Sequence, residues 1–169
     1  MVDVLRFWSP ILALKANEVE RRLDAFQAAC ARHGVRITPQ RVEVFREVAR
    51  TDEHPDAETV FKRVRGRLSN VSLDTVYRTL SLLEELGLLS KLEVLCDRAR
   101  FDANWEQHHH FVCVQCGAVR DLVHPGWDRL AVPEAVKAMG EVRRIHVQLR
   151  GLCSKCASQE RKGGKQSRC

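Results

Sequence analysis

Apolar residues in the first half of the chain recur every three or four positions, which is the period of an amphipathic α-helix. Asn17, Thr38 and Ser72 are placed to cap three of the predicted helices, and Gly34 and Gly87 are placed to end two of them. Four buried faces are predicted: Val19, Leu23, Phe26 and Cys30; Val42, Phe45 and Val48 or Ala49; Val60, Phe61, Val64 and Leu68; and Leu73, Val76, Leu80 and Leu83.

The pattern becomes extended after Gly87. The short runs "LLSKLEVL" and "ARFDA" flank a "CDR" turn and together predict a β-hairpin. Helices followed by a two-stranded wing are the element order of a winged helix-turn-helix domain. The first half of the chain is therefore predicted to be such a domain.

The fourth predicted helix has an outer face that suits a DNA groove. When its apolar residues point inward, the residues that point outward are Thr75, Tyr77, Arg78 and Ser81. Polar and basic side chains on such a helix can reach base edges or phosphates in the major groove. Nearby basic residues available for phosphate contacts are Arg63, Arg65, Arg67 and Lys91. The same pattern also fits an ordinary surface helix with a solvated polar face.

The second half of the chain, from about Arg98, has few helix signals. In "VRRIHVQLRGLC" the alternation predicts a strand with two faces: Ile145, Val147 and Leu149 on one, and His146, Gln148 and Arg150 on the other. "PEAVKAMG" predicts a short helix, so a small α/β domain with antiparallel strands is expected. We divide the chain into an N-terminal extension (1–16), a winged-helix domain (17–96), a metal-binding domain (97–157) and a polar tail expected to be disordered (158–169).

Composition excludes several classes of protein. The chain has 169 residues of which 44% are hydrophobic, so a core can form and global disorder is not expected. No apolar run approaches the ~18–20 residues of a membrane span, and the N-terminus lacks signal-peptide features, so a cytoplasmic location is expected. The formal net charge of +6 suits a polyanionic partner, although a basic solvated surface would give the same value.

Four of the seven cysteines form two Cys-x-x-Cys pairs, Cys113/Cys116 and Cys153/Cys156. In a cytosolic chain this pattern indicates metal binding before it indicates disulfides. Four thiolates suit tetrahedral zinc, and a closed set of four protein ligands is typical of a structural ion. A redox disulfide pair and an iron–sulfur cluster are the alternatives.

The stretch "WEQHHHFVCVQC" contains a second candidate metal site. If it forms a strand, His108 and His110 lie on one face, whereas His109 and Cys113 lie on the other. The histidine pair and the cysteines should then bind different ions. Further nitrogen and carboxylate ligands in the sequence are His54, Asp102 and Asp121. Such ligands suit Fe(II), Mn(II) or Zn(II), and an ion bound by both halves would fix the angle between two domains.

Several segments, in this order, resemble the ferric uptake regulator (Fur) family: "GVRITPQR", "HPDAETVF", "VSLDTVYRTLSLLEELGLL", "RFD", "HHHFVCVQCG" and "GLCSKC". The resemblance covers roughly Val35 to Cys156. It implies an α+β protein with an N-terminal winged helix-turn-helix domain followed by a small α/β dimerisation domain with antiparallel strands. It further implies a homodimer whose metal-bound form binds AT-rich inverted-repeat operators in double-stranded DNA and represses transcription.

The resemblance also assigns ligands residue by residue, with one ion of each kind per subunit. Structural zinc falls on Cys113, Cys116, Cys153 and Cys156. The regulatory ion, Fe(II) or Mn(II), falls on His54, Asp102, His108, His110 and Asp121. In the predicted recognition helix, Tyr77 and Arg78 match the family's DNA-contacting positions.

The two acidic ligands resemble the peroxide-sensing, PerR-type branch of the family. Asp102 and Asp121 stand where the iron-sensing branch tends to have glutamate. The resemblance implies that bound Fe(II) reacts with hydrogen peroxide and oxidises a ligand histidine, here His54 or His108. The site then weakens and DNA is released, whereas Mn(II) in the same site would give a peroxide-insensitive repressor.

A further metal site of iron-sensing relatives is expected to be absent or altered here. Gln107, His109 and Ile145 stand at its positions, and His146 lies one position away from the late histidine of that site. This departure is a second reason to favour the peroxide-sensing branch.

Three other functions fit part of the sequence. Within the family, the alternative is an uptake regulator for Fe(II), Mn(II) or Zn(II) without peroxide sensing. A zinc enzyme would need an open coordination position and a general base, but the sequence contains no His-Glu-x-x-His and no nucleophile motif. The third alternative function is a zinc-stabilised interaction module whose winged helix contacts protein or RNA. A metal-dependent DNA-binding repressor, not an enzyme, is the prediction.

Overall fold

The structure is a computed structural model that describes residues 16–92 and 98–161. It divides into two compact units, of which the first ends at Trp105 and the second begins at Glu106. The first unit contains α1 (Ala16–Arg32), α2 (Pro39–Ala49), α3 (Ala57–Arg65), α4 (Leu73–Glu85), β1 (Ser90–Leu92) and β2 (Arg100–Asp102). The second contains β3 (His109–Cys113), β4 (Val119–Leu122), α5 (Pro125–Asp128), α6 (Glu134–Lys137), β5 (Gln148–Gly151) and α7 (Ser154–Arg161).

The helix ends in the first unit follow the predicted signals with one exception. The side chains of Thr38 and Ser72 each accept a hydrogen bond from the backbone N–H three residues on. Gly34 and Gly87 adopt φ values of +63° and +69° just after α1 and α4, a left-handed conformation that favours glycine. Asn17, predicted as a cap, lies inside α1, which already includes the preceding residue.

The four predicted apolar faces form one core in the first unit, except that Leu73, at the first position of α4, is half-buried and not part of it. Its buried members include Leu23, Phe26, Cys30, Phe45, Val48, Ala49, Val60, Val64, Val76, Leu80 and Leu83. The rings of Phe26 and Phe45 stack with centroids 5.2 Å apart and join α1 to α2. Full burial of one such side chain contributes about 1.5–3 kcal/mol, so these contacts dominate the stability of the unit.

The buried carboxylate of Glu47 links α2 to arginines in and just after α3. Glu47 is fully buried and accepts hydrogen bonds from Arg50 and Arg67 at 2.8 and 2.6 Å. Arg63 lies 3.5 Å from the same carboxylate, and Arg63 and Arg67 each bind a further glutamate. The sequence suggested phosphate contacts for both arginines, but the structure engages them in ion pairs, because a buried carboxylate requires cationic partners.

The predicted hairpin strands pair antiparallel, with Lys91 opposite Phe101. Phe101 and Ala103 are buried in the first core. The first unit therefore extends beyond the boundary predicted after residue 96. The first two residues of the predicted "CDR" turn, 96 and 97, lie outside the described residues. The same holds for residues 1–15 of the predicted extension and residues 162–169 of the predicted tail.

The second unit is built on a three-stranded sheet with the order β4-β3-β5. Strands β3 and β4 are antiparallel, which confirms the predicted strand arrangement for this pair. Strand β5 runs parallel to β3 and is shorter than the alternating pattern suggested, since it begins only at Gln148. The predicted "PEAVKAMG" helix forms as the single turn α6.

Helix α7 extends four residues into the segment that was expected to be disordered, as far as Arg161. Cys156 is buried and anchors the helix to the unit, so its polar sequence does not leave it irregular. Within residues 16–92 and 98–161, no helix combines the length and the apolar character required to cross a membrane.

Candidate metal centres and recognition helix

The two Cys-x-x-Cys pairs are brought together by the parallel pairing of β3 and β5. Cys113 is the last residue of β3 and lies opposite Gly151 at the end of β5, two residues before Cys153. Gly117 has a φ of +65°, which lets the chain turn sharply after Cys116 into β4. Cys156 follows in the first turn of α7. The second pair therefore lies beside the first, as expected for one site.

The four sulfur atoms fit a tetrahedral ion. Each lies within 4.8 Å of the others, and the Sγ atoms of Cys116 and Cys153 are 3.9 Å apart. A Zn–S bond of about 2.3 Å in a tetrahedron separates two sulfurs by about 3.8 Å, which agrees with this distance. A disulfide would require about 2.05 Å, so the four paired cysteines form a thiol cluster rather than a redox bridge.

The surroundings of Cys113 favour its thiolate. Burial raises the pKa of this thiol, but the backbone amides of Cys116, Cys153 and Gln115 interact with the sulfur and lower the pKa to about 6. The amide of Cys153 donates at 3.3 Å. A thiolate held by backbone donors is the form that a metal ion requires.

Three of the five ligands predicted for the regulatory ion lie together in the second unit. The antiparallel register places His110 opposite Asp121, and Asp121 Oδ1 is 3.4 Å from His110 Nε2 and 3.9 Å from His108 Nε2. The two Nε2 atoms are 3.0 Å apart. With metal–nitrogen bonds of about 2.1 Å, two ligands at a right angle would be about 3.0 Å apart, so this trio fits one ion.

The other ring nitrogens of both histidines have partners. Nδ1 of His108 donates to the carbonyl oxygen of Glu106 at 2.7 Å, which leaves the lone pair on Nε2. Nδ1 of His110 lies 2.7 Å from Nε2 of His146. Partial burial and the neighbouring histidines lower the pKa of His146 to about 4, so its ring is neutral at pH 7. The sequence pattern did not assign this residue to the site.

The remaining two predicted ligands lie together in the first unit. His54 and Asp102 are both buried, with Nε2 and Oδ1 3.8 Å apart. The N–H of Phe101 donates to the carbonyl of Pro55 at 3.1 Å, which ties β2 to the loop before α3 and brings the two side chains together. His54 has a φ of +50°, an uncommon conformation for a residue other than glycine that often marks a functional position.

His109 faces away from these ligands, as the strand phase predicted. It is fully buried, and its Nδ1 accepts a hydrogen bond from the N–H of Val147 at 3.2 Å. Its Nε2 lies 3.2 Å from Asp128, and its ring contacts Trp127 at a centroid distance of 5.4 Å. His109 therefore packs α5 against the sheet.

The outer face of α4 is available to a groove of DNA. Tyr77 is 49% exposed, the Arg78 side chain is 81% exposed, and Ser81 is also exposed. Thr75 is half-buried, and its hydroxyl bonds to the capping hydroxyl of Ser72 at 2.8 Å. The predicted groove-facing residues thus share one surface, although Thr75 also belongs to the helix cap.

Comparison with known proteins agrees with this architecture. The sequence pattern of the ferric uptake regulator family matches residues 32–149. The peroxide operon regulator of Bacillus subtilis (strain 168) is 30% identical over 147 residues, which cover 87% of this chain and 99% of that protein. The Helicobacter pylori ferric uptake regulator Fur is 24% identical with a TM-score of 0.71, covering 87% of this chain and 97% of that one. A zinc uptake regulator complexed with zinc and DNA is 27% identical with a TM-score of 0.57, covering 85% and 97%.

Proposed function

Because the chain belongs to the ferric uptake regulator family, we propose that this metal-responsive transcriptional regulator is a repressor that senses peroxide through oxidation of a histidine at an Fe(II) site. Members of the family are regulators rather than enzymes, and they bind operator DNA as dimers. The observation that carries the proposal is the cluster of His108, His110 and Asp121, whose nitrogen and oxygen donors suit Fe(II) or Mn(II). The similarity to the peroxide operon regulator of Bacillus subtilis supports the peroxide branch.

One ion takes ligands from both units in this proposal. His108, His110 and Asp121 come from the second unit, and His54 and Asp102 from the first, so metal binding would favour one arrangement of the two. The family resemblance supports this set residue by residue. Within the second unit, the β3–β4 register brings its three proposed ligands together. Within the first unit, the backbone hydrogen bond between Phe101 and Pro55 does the same for its two.

Fe(II) held by these residues would catalyse the transfer of one oxygen atom from hydrogen peroxide to a ligand ring, so that the peroxide is reduced to water while the ring is oxidised by two electrons. His54 and His108 are the rings proposed to gain an oxygen atom. Oxidation makes an imidazole a poorer ligand, so the set loses affinity for its ion and the protein loses its DNA-binding arrangement. Mn(II) would occupy the same residues without this chemistry and would keep the repressor active.

Structural zinc at the four cysteines and homodimer formation complete the proposal. The second unit exposes several large apolar side chains, among them Met139 at 84% and Val123 at 60%. Where such side chains form one contiguous face, a second copy of the chain could cover them. A twofold dimer would read an operator with inverted-repeat symmetry, and an AT-rich sequence is expected from the resemblance.

Peptide mass spectrometry after mild peroxide tests the proposal directly. We expect one added oxygen on the peptide of His54 or His108 in Fe(II)-loaded protein, together with release of operator DNA. The Mn(II)-loaded protein is the matched control and should keep both its histidines and its operator. Unmodified histidines, with DNA binding that only tracks metal concentration, would instead identify an uptake regulator for Fe(II), Mn(II) or Zn(II).

Replacing Arg78 with alanine should weaken operator binding by about 1–3 kcal/mol if the guanidinium reads a base. Arg78 is highly exposed and forms a surface ion pair with Asp74 at 3.0 Å, so its loss should leave the fold intact. Fluorescence anisotropy with operator and scrambled duplexes measures the effect. The control for the loss of a positive charge alone is Arg65→Ala, since Arg65 lies on the neighbouring helix α3. An equal loss on both duplexes would show a phosphate contact instead.

A further inference from the structure

We propose that His146 is a positioning residue of the regulatory site, which accepts a hydrogen bond from Nδ1 of His110 and so directs Nε2 of His110 toward the ion. The inference rests on the proposed regulatory site and adds a residue to it. Neither the predicted alternation of side chains along the strand nor the family resemblance assigned His146 to the regulatory site.

The tautomer of His110 follows from the geometry around its ring. Its Nε2 lies beside His108 Nε2 and Asp121 Oδ1, at 3.0 and 3.4 Å, and is therefore the nitrogen that faces an ion. A ligating Nε2 must carry its lone pair, so the ring proton sits on Nδ1. Nδ1 then donates to Nε2 of His146 at 2.7 Å. His146 therefore accepts this bond at Nε2.

The position of His146 is a consequence of the parallel pairing of β3 and β5. Gln148 lies opposite His110 in the register, and the N–H of His110 donates to the carbonyl of Val147 at 3.0 Å. Side chains alternate along an extended chain, so His146 falls on the same side as Gln148 and His110. The N–H of Val147 donates to His109, which fastens the segment just before β5.

The contact fits an outer partner better than a direct ligand. Nδ1 and Nε2 point away from opposite edges of the His110 ring, so an ion at Nε2 lies on the far side from His146. His108 has an equivalent partner, since its Nδ1 donates to the carbonyl of Glu106. Both ligand histidines therefore have their second nitrogen bound, which is how metal-ligating histidines are usually oriented. The partner of His110 is a side chain, so it can be removed by mutation.

Mn(II) titration of the zinc-containing dimer tests the inference. Removal of an outer partner typically costs 10- to 100-fold in metal affinity, so we expect a loss of about that size in His146→Ala. His146→Gln should recover part of it, because its amide oxygen can accept the same bond. The Mn(II) electron paramagnetic resonance spectrum should also change. Zinc content, dimer formation and thermal unfolding without Mn(II) should not change. The control is His33→Ala, an exposed histidine of the first unit.

Mn(II) affinity within twofold of the unmutated protein in His146→Ala would overturn the positioning role. A loss as complete as that in Asp121→Ala, with no recovery in His146→Gln, would overturn it in favour of a direct ligand. Failure of the site itself is recognised separately, because Asp121→Ala would then also leave Mn(II) binding unchanged. In that case both the inference and the proposed function are wrong.

Discussion

Replacing Cys113 or Cys156 with serine should unfold the second unit and abolish the dimer. Apparent binding free energies of structural zinc are about 10–16 kcal/mol in small zinc-binding peptides, and this binding energy is coupled to folding. A typical domain has only about 5–15 kcal/mol of stability, so loss of the ion exceeds what the rest of the unit can offset. Zinc content, size-exclusion chromatography and circular dichroism measure the three expected losses.

We expect the second unit to depend on the ion, because it has little apolar core of its own. Among its described residues, the buried hydrophobic side chains are Val112, Cys113, Val119 and Cys156. Two of these four are proposed zinc ligands, so the metal centre takes the place that a hydrophobic core occupies in the first unit. Small domains with few buried side chains commonly need a metal or a disulfide to fold.

The control for the cysteine variants is Cys30→Ala. Cys30 is fully buried in the first unit, far from the paired cysteines in sequence, and its replacement should cost stability without loss of zinc. A Cys113→Ser protein that is folded, dimeric and free of zinc would contradict the structural role of the ion.

Replacing Asp121 with alanine should abolish metal-dependent DNA binding while the protein stays folded. Asp121 is half-buried on β4, and its carboxylate faces Nε2 of both His108 and His110. Outer partners of metal ligands are typically worth 10- to 100-fold in affinity, so loss of a ligand itself should exceed about 100-fold. In the proposed mechanism the bound ion is required for operator binding, so its loss should abolish that binding. Operator binding titrated with Mn(II), alongside thermal unfolding, measures both parts of the prediction.

Asp128→Ala is the matched control for this variant. Asp128 is also an acid beside a histidine of β3, but it contacts His109 on the opposite face of the strand. It should leave the Mn(II) dependence of operator binding unchanged. Operator affinity and metal dependence that survive in Asp121→Ala would remove Asp121 from the regulatory site.

Features that depend on neighbouring residues could be predicted before the structure was known. The apolar period of α1 to α4 defined the core of the first unit, because residues three or four apart share a helix face whatever the rest of the chain does. The caps Thr38 and Ser72 and the terminating Gly34 and Gly87 act within one helical turn. Strand phase alone separated His109 from the pair His108 and His110. The predicted ligand sets and DNA-contacting positions were assigned because short motifs resemble those of the family, and they stay predictions.

Features that depend on which distant segments pair could not be predicted from local patterns. The parallel register of β3 with β5 is set by packing across a gap of more than thirty residues, and no local pattern specifies it. That register brings Cys153 beside Cys113 and His146 beside His110. The ion pairs of Arg63 and Arg67 with Glu47 likewise join segments far apart in sequence, and no local pattern predicted them. A side chain's partner across such a gap becomes known only once the strand register and helix packing are known.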